Sequence, residues 1–226
     1  MPWTALLPLA PIRSAKSRLR PASGTAADHE ALVIALRTDT ARALRASQSI
    51  HRVLVISPDP RCLAWAADLE FETLAETESG LNGALRQAAE HAAAHWPADG
   101  VVAVVGDLPA ATGLALDAAL DALGDAPRGM VADHSGTGTT MLSARPGRPL
   151  NPQFGPGSAE RHAESGAVSL PAAEGLRWDV DTAEDLAEVL RLAGIEATAT
   201  GRLRIVSLGP DATSPTRAPR QQDRSC

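Results

Sequence analysis

Four cations stand within eight residues near the N-terminus: Arg13, Lys16, Arg18 and Arg20. In a chain of net charge −6, Arg and Lys donors at that density suit the oxygens of a polyphosphate, although a solvated basic turn has the same composition. The run contains neither GxxxxGK[ST] nor GxGxxG, so it is not a P-loop or a dinucleotide fingerprint. A carboxylate, Asp107, follows the apolar run VVAVVG at 101–106, and Pro109 turns the chain just beyond it. At the end of a buried strand such a group can hold a divalent cation beside phosphates. It can equally cap the helix ahead. Further on, Asp179 and Asp181 flank Val180. In an extended segment the two acids share a face, where they repel each other unless a cation lies between them. Thr182 and Asp185 also fit a capping box, and Asp181 could itself be an N-cap.

Two weaker signals accompany these. The stretch DHSGTGTT at 133–140 offers hydroxyls and glycines that can cradle an anion, or simply form a hairpin. The turn FGPGS at 154–158 opens a short helix. Ser158 there reads as an N-cap, and a helix N-terminus also favours a phosphate or carboxylate. There is no G-x-S-x-G elbow and no H-E-x-x-H pattern, and the histidines at 51, 91, 95 and 134 belong to no catalytic motif. Acidic groups with phosphate-type loops fit metal-assisted phosphoryl chemistry better than nucleophilic catalysis.

The elements that must position these residues alternate along the chain. Strands are expected at 5–9, 52–57, 101–106, 129–132, 139–144 and 167–170, and helices at 26–46, 61–68, 81–95, 114–123, 159–165 and 183–193. Alternation of this kind predicts an α/β fold with a three-layer, mostly parallel sheet. Ligands of such sheets bind beyond the carboxyl ends of the strands, where the 10–20 loop and Asp107 fall. Residues 1–206 read as one domain and 207–226, proline-rich and without apolar period, as a disordered tail.

Composition narrows the partners. There is no Tyr, and there are two Phe and four Trp. That leaves little to stack on single-stranded nucleic acid, and the negative charge opposes it further. The N-terminal apolar run precedes its positive charges rather than following them, and no stretch approaches the ~20 apolar residues of a membrane span. These features predict a cytoplasmic protein. The cysteines at 62 and 226 suggest neither a disulfide framework nor a zinc site.

Taken in order, AKSRL (15–19), ISPD (56–59), LN (81–82), GDLP (106–109), GTGT (136–139), FGPGS (154–158), RH (161–162), SGAV (165–168) and DVDT (179–182) resemble the guanylyltransferase family of coenzyme F420 biosynthesis, the CofC/FbiD type. The resemblance implies a nucleotidyltransferase fold of the glycosyltransferase-A kind. It implies transfer of GMP from GTP to phosphoenolpyruvate, or alternatively to 2-phospho-L-lactate; a nucleotide-binding regulatory protein without turnover is the rival reading. It further implies Mg²⁺ at Asp107, Asp179 and Asp181, catalytic roles for Lys16 and Asp107, and the nucleotide at Arg13, Lys16, Arg18 and Asn82. The acceptor would meet Thr139, Gly155 and Ser158, and the enzyme that consumes the product is a candidate partner. One departure stands at Ala10, where family members usually carry lysine.

Overall fold

The computed structural model describes residues 1–194 and 198–208. Among these, seven strands form one sheet: β1 (Trp3–Pro8), β2 (Ile50–Ser57), β3 (Glu72–Ala75), β4 (Gly100–Val104), β5 (Arg128–Ala132), β6 (Thr139–Ala144) and β7 (Val168–Ser169). Their spatial order is β3-β2-β1-β4-β6-β5-β7, and β6 alone runs antiparallel to its neighbours. The expected mostly parallel sheet is therefore present. The strand β3 was not anticipated: its four residues are largely exposed and lack an apolar run, so only pairing with β2 makes it a strand.

The helices are α1 (Arg20–Ser23), α2 (Ala26–Ala46), α3 (Pro60–Asp68), α4 (Leu81–His95), α5 (Gly113–Asp121), α6 (Ser158–Glu164), α7 (Glu174–Arg177), α8 (Ala183–Ala193) and α9 (Ala199–Leu208), with a 3-10 turn at Ser17–Leu19. Period-2 alternation along β1 builds the three layers. Ala5 and Leu7 pack with α2, α3 and α5, while Leu6 packs on the other face with α4 and α6. A smaller cluster joins Leu19 to Leu32 and Leu36 of α2, to Val180, and to Leu186, Val189 and Leu190 of α8. This cluster brings residues 16 and 181, far apart in sequence, to one place.

Helix termini follow local chemistry. Capping boxes at Thr25/Asp28 and Thr182/Asp185 start α2 and α8. Asp39 of α2 accepts from the N–H groups of Ala199 and Thr200 and so docks α9. The tail expected from residue 207 falls, beyond Leu208, outside the described residues. Among the described residues no helix is long and apolar enough to cross a membrane.

Candidate active site

Strands β1, β2 and β4 end at one edge of the sheet, and the expected site loops gather there. The segment after β1 is pinned almost residue by residue. The Leu9 carbonyl accepts from Ser57 Oγ at 2.7 Å, the Ala10 carbonyl from Arg37 at 2.6 Å, and the Ala15 carbonyl from His29 Nε2 at 2.9 Å. The Ile12 N–H donates to Asp59 at 3.1 Å. This tethered chain ends on Lys16, whose backbone is left-handed at φ 53°. A non-glycine residue adopts that conformation at a cost, which its surroundings must offset. The result aims the ammonium inward: Lys16 Nζ donates to Asp107 Oδ2 and, at 2.7 Å, to Asp181 Oδ1.

Asp107 is not a cap, since Thr112 caps α5, and it is 8% exposed. Its carbonyl accepts from the Val180 N–H, which fastens the 179–181 segment to the end of β4. Asp181 is not a cap either: Thr182 takes that role for α8. Burial pushes the Asp181 carboxyl up, but the charge and hydrogen bond of Lys16 outweigh it and hold the group below the usual range. Asp179 goes the other way. Burial raises it, Lys16 opposes, and the neighbouring charges of Asp181 and Asp133 add to the rise. Among the described residues no three acidic or histidine side chains converge closely enough to form a metal cage by themselves. Two carboxylates, Asp107 and Asp181, do converge on one cation, Lys16, and the charge of Asp179 acts on both Lys16 and Asp181. That donor set fits a divalent ion shared with ligand oxygens rather than one enclosed by protein.

A cavity of about 680 Å³ opens on the β1 side of Asp107. Its lining runs from Lys16, Arg18, Asp107 and Asp181 past Arg37 to Glu76 and Leu81. Arg37 is buried and, among the described residues, bonded to the Ala10 carbonyl and to Cys62 Sγ at 3.2 Å, so it places a guanidinium beside Ala10. Arg13 faces solvent beside Glu30 and does not line the cavity.

On the opposite, β6 side of Asp107 lies a second cluster. The Val105 N–H donates to the Thr140 carbonyl, so Thr139 at the start of β6 sits beside the end of β4. Thr139 Oγ1 accepts from Ser158 Oγ at 3.0 Å and pairs with His162 Nδ1 at 2.9 Å. His162 Nε2 accepts from the Gln153 N–H at 2.9 Å. A backbone N–H only donates, so Nε2 carries no proton and the neutral ring donates from Nδ1 to Thr139. Burial, then the charges of Arg128 and Arg161, push the His162 pKa down to about 4, which agrees with a neutral ring. With both lone pairs of its oxygen filled, Thr139 has its own proton left to donate.

Ser158 is the first residue of α6 and not its cap; the cap is Gly157, at φ 72°. The expectation of an N-cap therefore fails, because the hydroxyl turns inward to a partner 19 residues away. Gly155 and Gly157 both have positive φ, and Arg161 grips the same turn through the carbonyls of Gln153 and Pro156. Asn82, expected on the nucleotide, holds this turn as well: its amide exchanges two hydrogen bonds with the Phe154 backbone at 3.0 and 2.7 Å. Sequence reasoning missed His29, Arg37 and the role of the RH pair. Helical spacing marked His29 and Arg37 only as part of α2, and no local signal announces their reach to the 10–15 segment.

Comparison with known proteins gives the family and the fold. Residues 3–223 match the family model described as "Guanylyl transferase CofC like". A protein named phosphoenolpyruvate guanylyltransferase from Streptomyces scabiei is 39% identical over 218 residues, covering 92% of this chain and 100% of that one. One of the same name from Geodermatophilus obscurus is 43% identical over 196 residues, covering 84% and 89%. Among solved structures, a nucleotidyl transferase from Methanothermobacter superposes with a TM-score of 0.61 at 14% identity, covering 84% of this chain and 98% of that one, which shows the shared fold. The chain belongs to the CofC-like guanylyl transferase family.

Proposed function

We propose that this CofC-like guanylyl transferase moves GMP from GTP to the phosphate of phosphoenolpyruvate. The observation that carries the reading is the position of Asp107 between a cavity and a buried polar cluster. A long cavity lined by Lys16 and Arg18 lies on its β1 side, and the Thr139–Ser158–His162 cluster lies on its β6 side. A two-substrate transfer needs that division. The names of the relatives favour phosphoenolpyruvate as the acceptor.

In the reaction an acceptor phosphate oxygen attacks the α-phosphorus of GTP. The α–β anhydride bond breaks, pyrophosphate leaves, and the product is enolpyruvyl-2-diphospho-5'-guanosine. The acceptor phosphate is already anionic near neutral pH, so no general base is required. The protein's task is to align two polyanions and screen their repulsion. Lys16 and Arg18 face the triphosphate, whereas Arg13, turned to solvent beside Glu30, does not. Asp107, Asp179 and Asp181 would hold Mg²⁺, which when bound screens the phosphate charge. The Thr139 hydroxyl donates to the acceptor. Ser158 acts by filling a Thr139 lone pair, Gly155 shapes the turn, and Asn82 fixes that turn to α4. A cytoplasmic enzyme drawing on the common GTP pool fits this chemistry, as does a downstream transferase that consumes the reactive product.

The test incubates protein and Mg²⁺ with each of four nucleoside triphosphates and with phosphoenolpyruvate or 2-phospho-L-lactate, with the downstream transferase present. Pyrophosphate and a guanylylated phosphoenolpyruvate mass are expected. Binding of GTP without pyrophosphate release under any combination would overturn the assignment.

A further inference from the structure

The far wall of the cavity carries a carboxylate that the transfer chemistry does not use. Glu76 follows β3 at the edge of the sheet and lines the same cavity as Lys16 and Asp107. Three strand spacings separate β3 from β4, about 14 Å at ~4.8 Å each. An extended nucleoside triphosphate covers a comparable distance between its base and its terminal phosphate. With the phosphates at Lys16, the base falls at the Glu76 end.

Glu76 is presented rigidly. Its N–H donates to the Ser57 carbonyl at 3.1 Å. The amide of Gln87 accepts from the Thr77 N–H and donates to the Ala75 carbonyl, both at 2.9 Å, and so clamps the residues on either side. The surrounding charges are otherwise engaged. Glu78 pairs with Arg86, Glu30 with Arg61, and the other cavity carboxylates, Asp107 and Asp181, with Lys16. Among the described residues no cation lies within ion-pair distance of Glu76, although the residue is half-buried. A carboxylate in that setting gains from ligand N–H donors. Beside it the lining is apolar: Pro58, Ala84 and Leu81, the last 42% exposed although it is a large hydrophobic side chain.

We infer that Glu76 selects guanine, its carboxylate accepting from the N1–H and 2-amino groups while the base lies against Leu81. Of the four common bases, guanine alone sets a ring N–H beside an exocyclic amine. Adenine and cytosine place a ring acceptor next to their amine, and uracil flanks its N–H with carbonyls. One carboxylate therefore accepts twice from guanine and is repelled by a lone pair of each rival. The inference rests on the guanylyl-transfer reading, and it names the residue that makes the donor specific.

The experiment measures nucleotide binding by calorimetry with Mg²⁺ and no acceptor, using GTP, ITP and XTP. Inosine lacks the 2-amino group and xanthine replaces it with a carbonyl. Wild type should bind GTP at least about tenfold more tightly than ITP, the loss of one charge-assisted hydrogen bond. Glu76→Gln should weaken GTP by about 30-fold or more and strengthen XTP, since the amide accepts from N1–H and donates to the 2-carbonyl. Glu76→Ala should bring GTP and ITP to within about threefold of each other. A Glu76→Gln protein that keeps the wild-type preference for GTP over XTP would overturn the inference, as would an unchanged GTP-to-ITP ratio in Glu76→Ala. Absence of guanylyl transfer with the GTP preference intact would instead remove the acceptor chemistry and leave the base reading standing.

Discussion

Replacing His162 separates what the imidazole does for the fold from what it does for the acceptor. The ring is fully buried, accepts from the Gln153 N–H, donates to Thr139 and meets Phe154 edge-on at 5.1 Å. Leucine fills a similar volume, so the cost comes from the polar groups. Leaving the Gln153 N–H unpaired costs about 1–3 kcal/mol, and losing the Thr139 bond about 0.5–1.5 kcal/mol. A chain of this size should then melt roughly 4–15 °C lower. At a temperature well below that midpoint, the second effect appears in kinetics. The Thr139 hydroxyl loses one of its two incoming donors, so its proton is no longer reserved for the acceptor that the proposed function seats there. The KM for phosphoenolpyruvate should rise about tenfold while the KM for GTP stays near its original value. In His162→Asn the amide nitrogen takes the place of Nδ1 and keeps the donor to Thr139, but nothing accepts from Gln153. That variant should lose stability yet recover the acceptor KM to within about threefold. If His162→Asn and His162→Leu raise the acceptor KM equally, or neither does, the orienting role of His162 is refuted.

Asp107→Asn should keep the fold and lower guanylyl transfer by at least ~100-fold in a pyrophosphate-release assay; near-normal turnover in a folded protein would take Asp107 out of the site. Stability should also fall in mild acid. The folded-state pKa of His162 is depressed from 6.5 to about 4, so the unfolded chain binds the proton first; the full contribution is present above about pH 6.5 and is lost as pH drops towards 4. The loss is on the order of 3 kcal/mol, readable by urea unfolding at two pH values, and His162→Asn should flatten the slope. Asp39→Ala removes the acceptor for two N–H groups and one hydroxyl at the start of α9, so a loss of about 1–3 kcal/mol is expected without change in either KM. An unaltered midpoint in thermal melts would show that the α9 dock contributes nothing.

Much of this protein is written locally. The bounds of α2, α4, α8 and β6 match the sequence reading residue for residue, because helical period, caps and β-branched runs act within a few residues. Three local patterns marked the charged residues: Asp107 ends an apolar strand, Asp179 and Asp181 alternate onto one face, and Lys16 stands among four cations in eight residues. Other features have no local signature. A β3 made of ETLA is a strand only because β2 offers it hydrogen bonds, and the reversed direction of β6 depends on which edges remain to be paired. Ser158 looked like a cap, but a buried threonine 19 residues earlier claims its hydroxyl. Asn82 binds the Phe154 backbone 72 residues on. The α/β alternation and most helix limits arise from short-range sterics and composition, and so can be read along the chain. Which charges meet, which hydroxyl keeps its proton, and that Glu76 faces the cavity without a cation among the described residues follow from the packed fold alone. Those outcomes depend on contacts closed across the whole chain and on burial that no single segment carries.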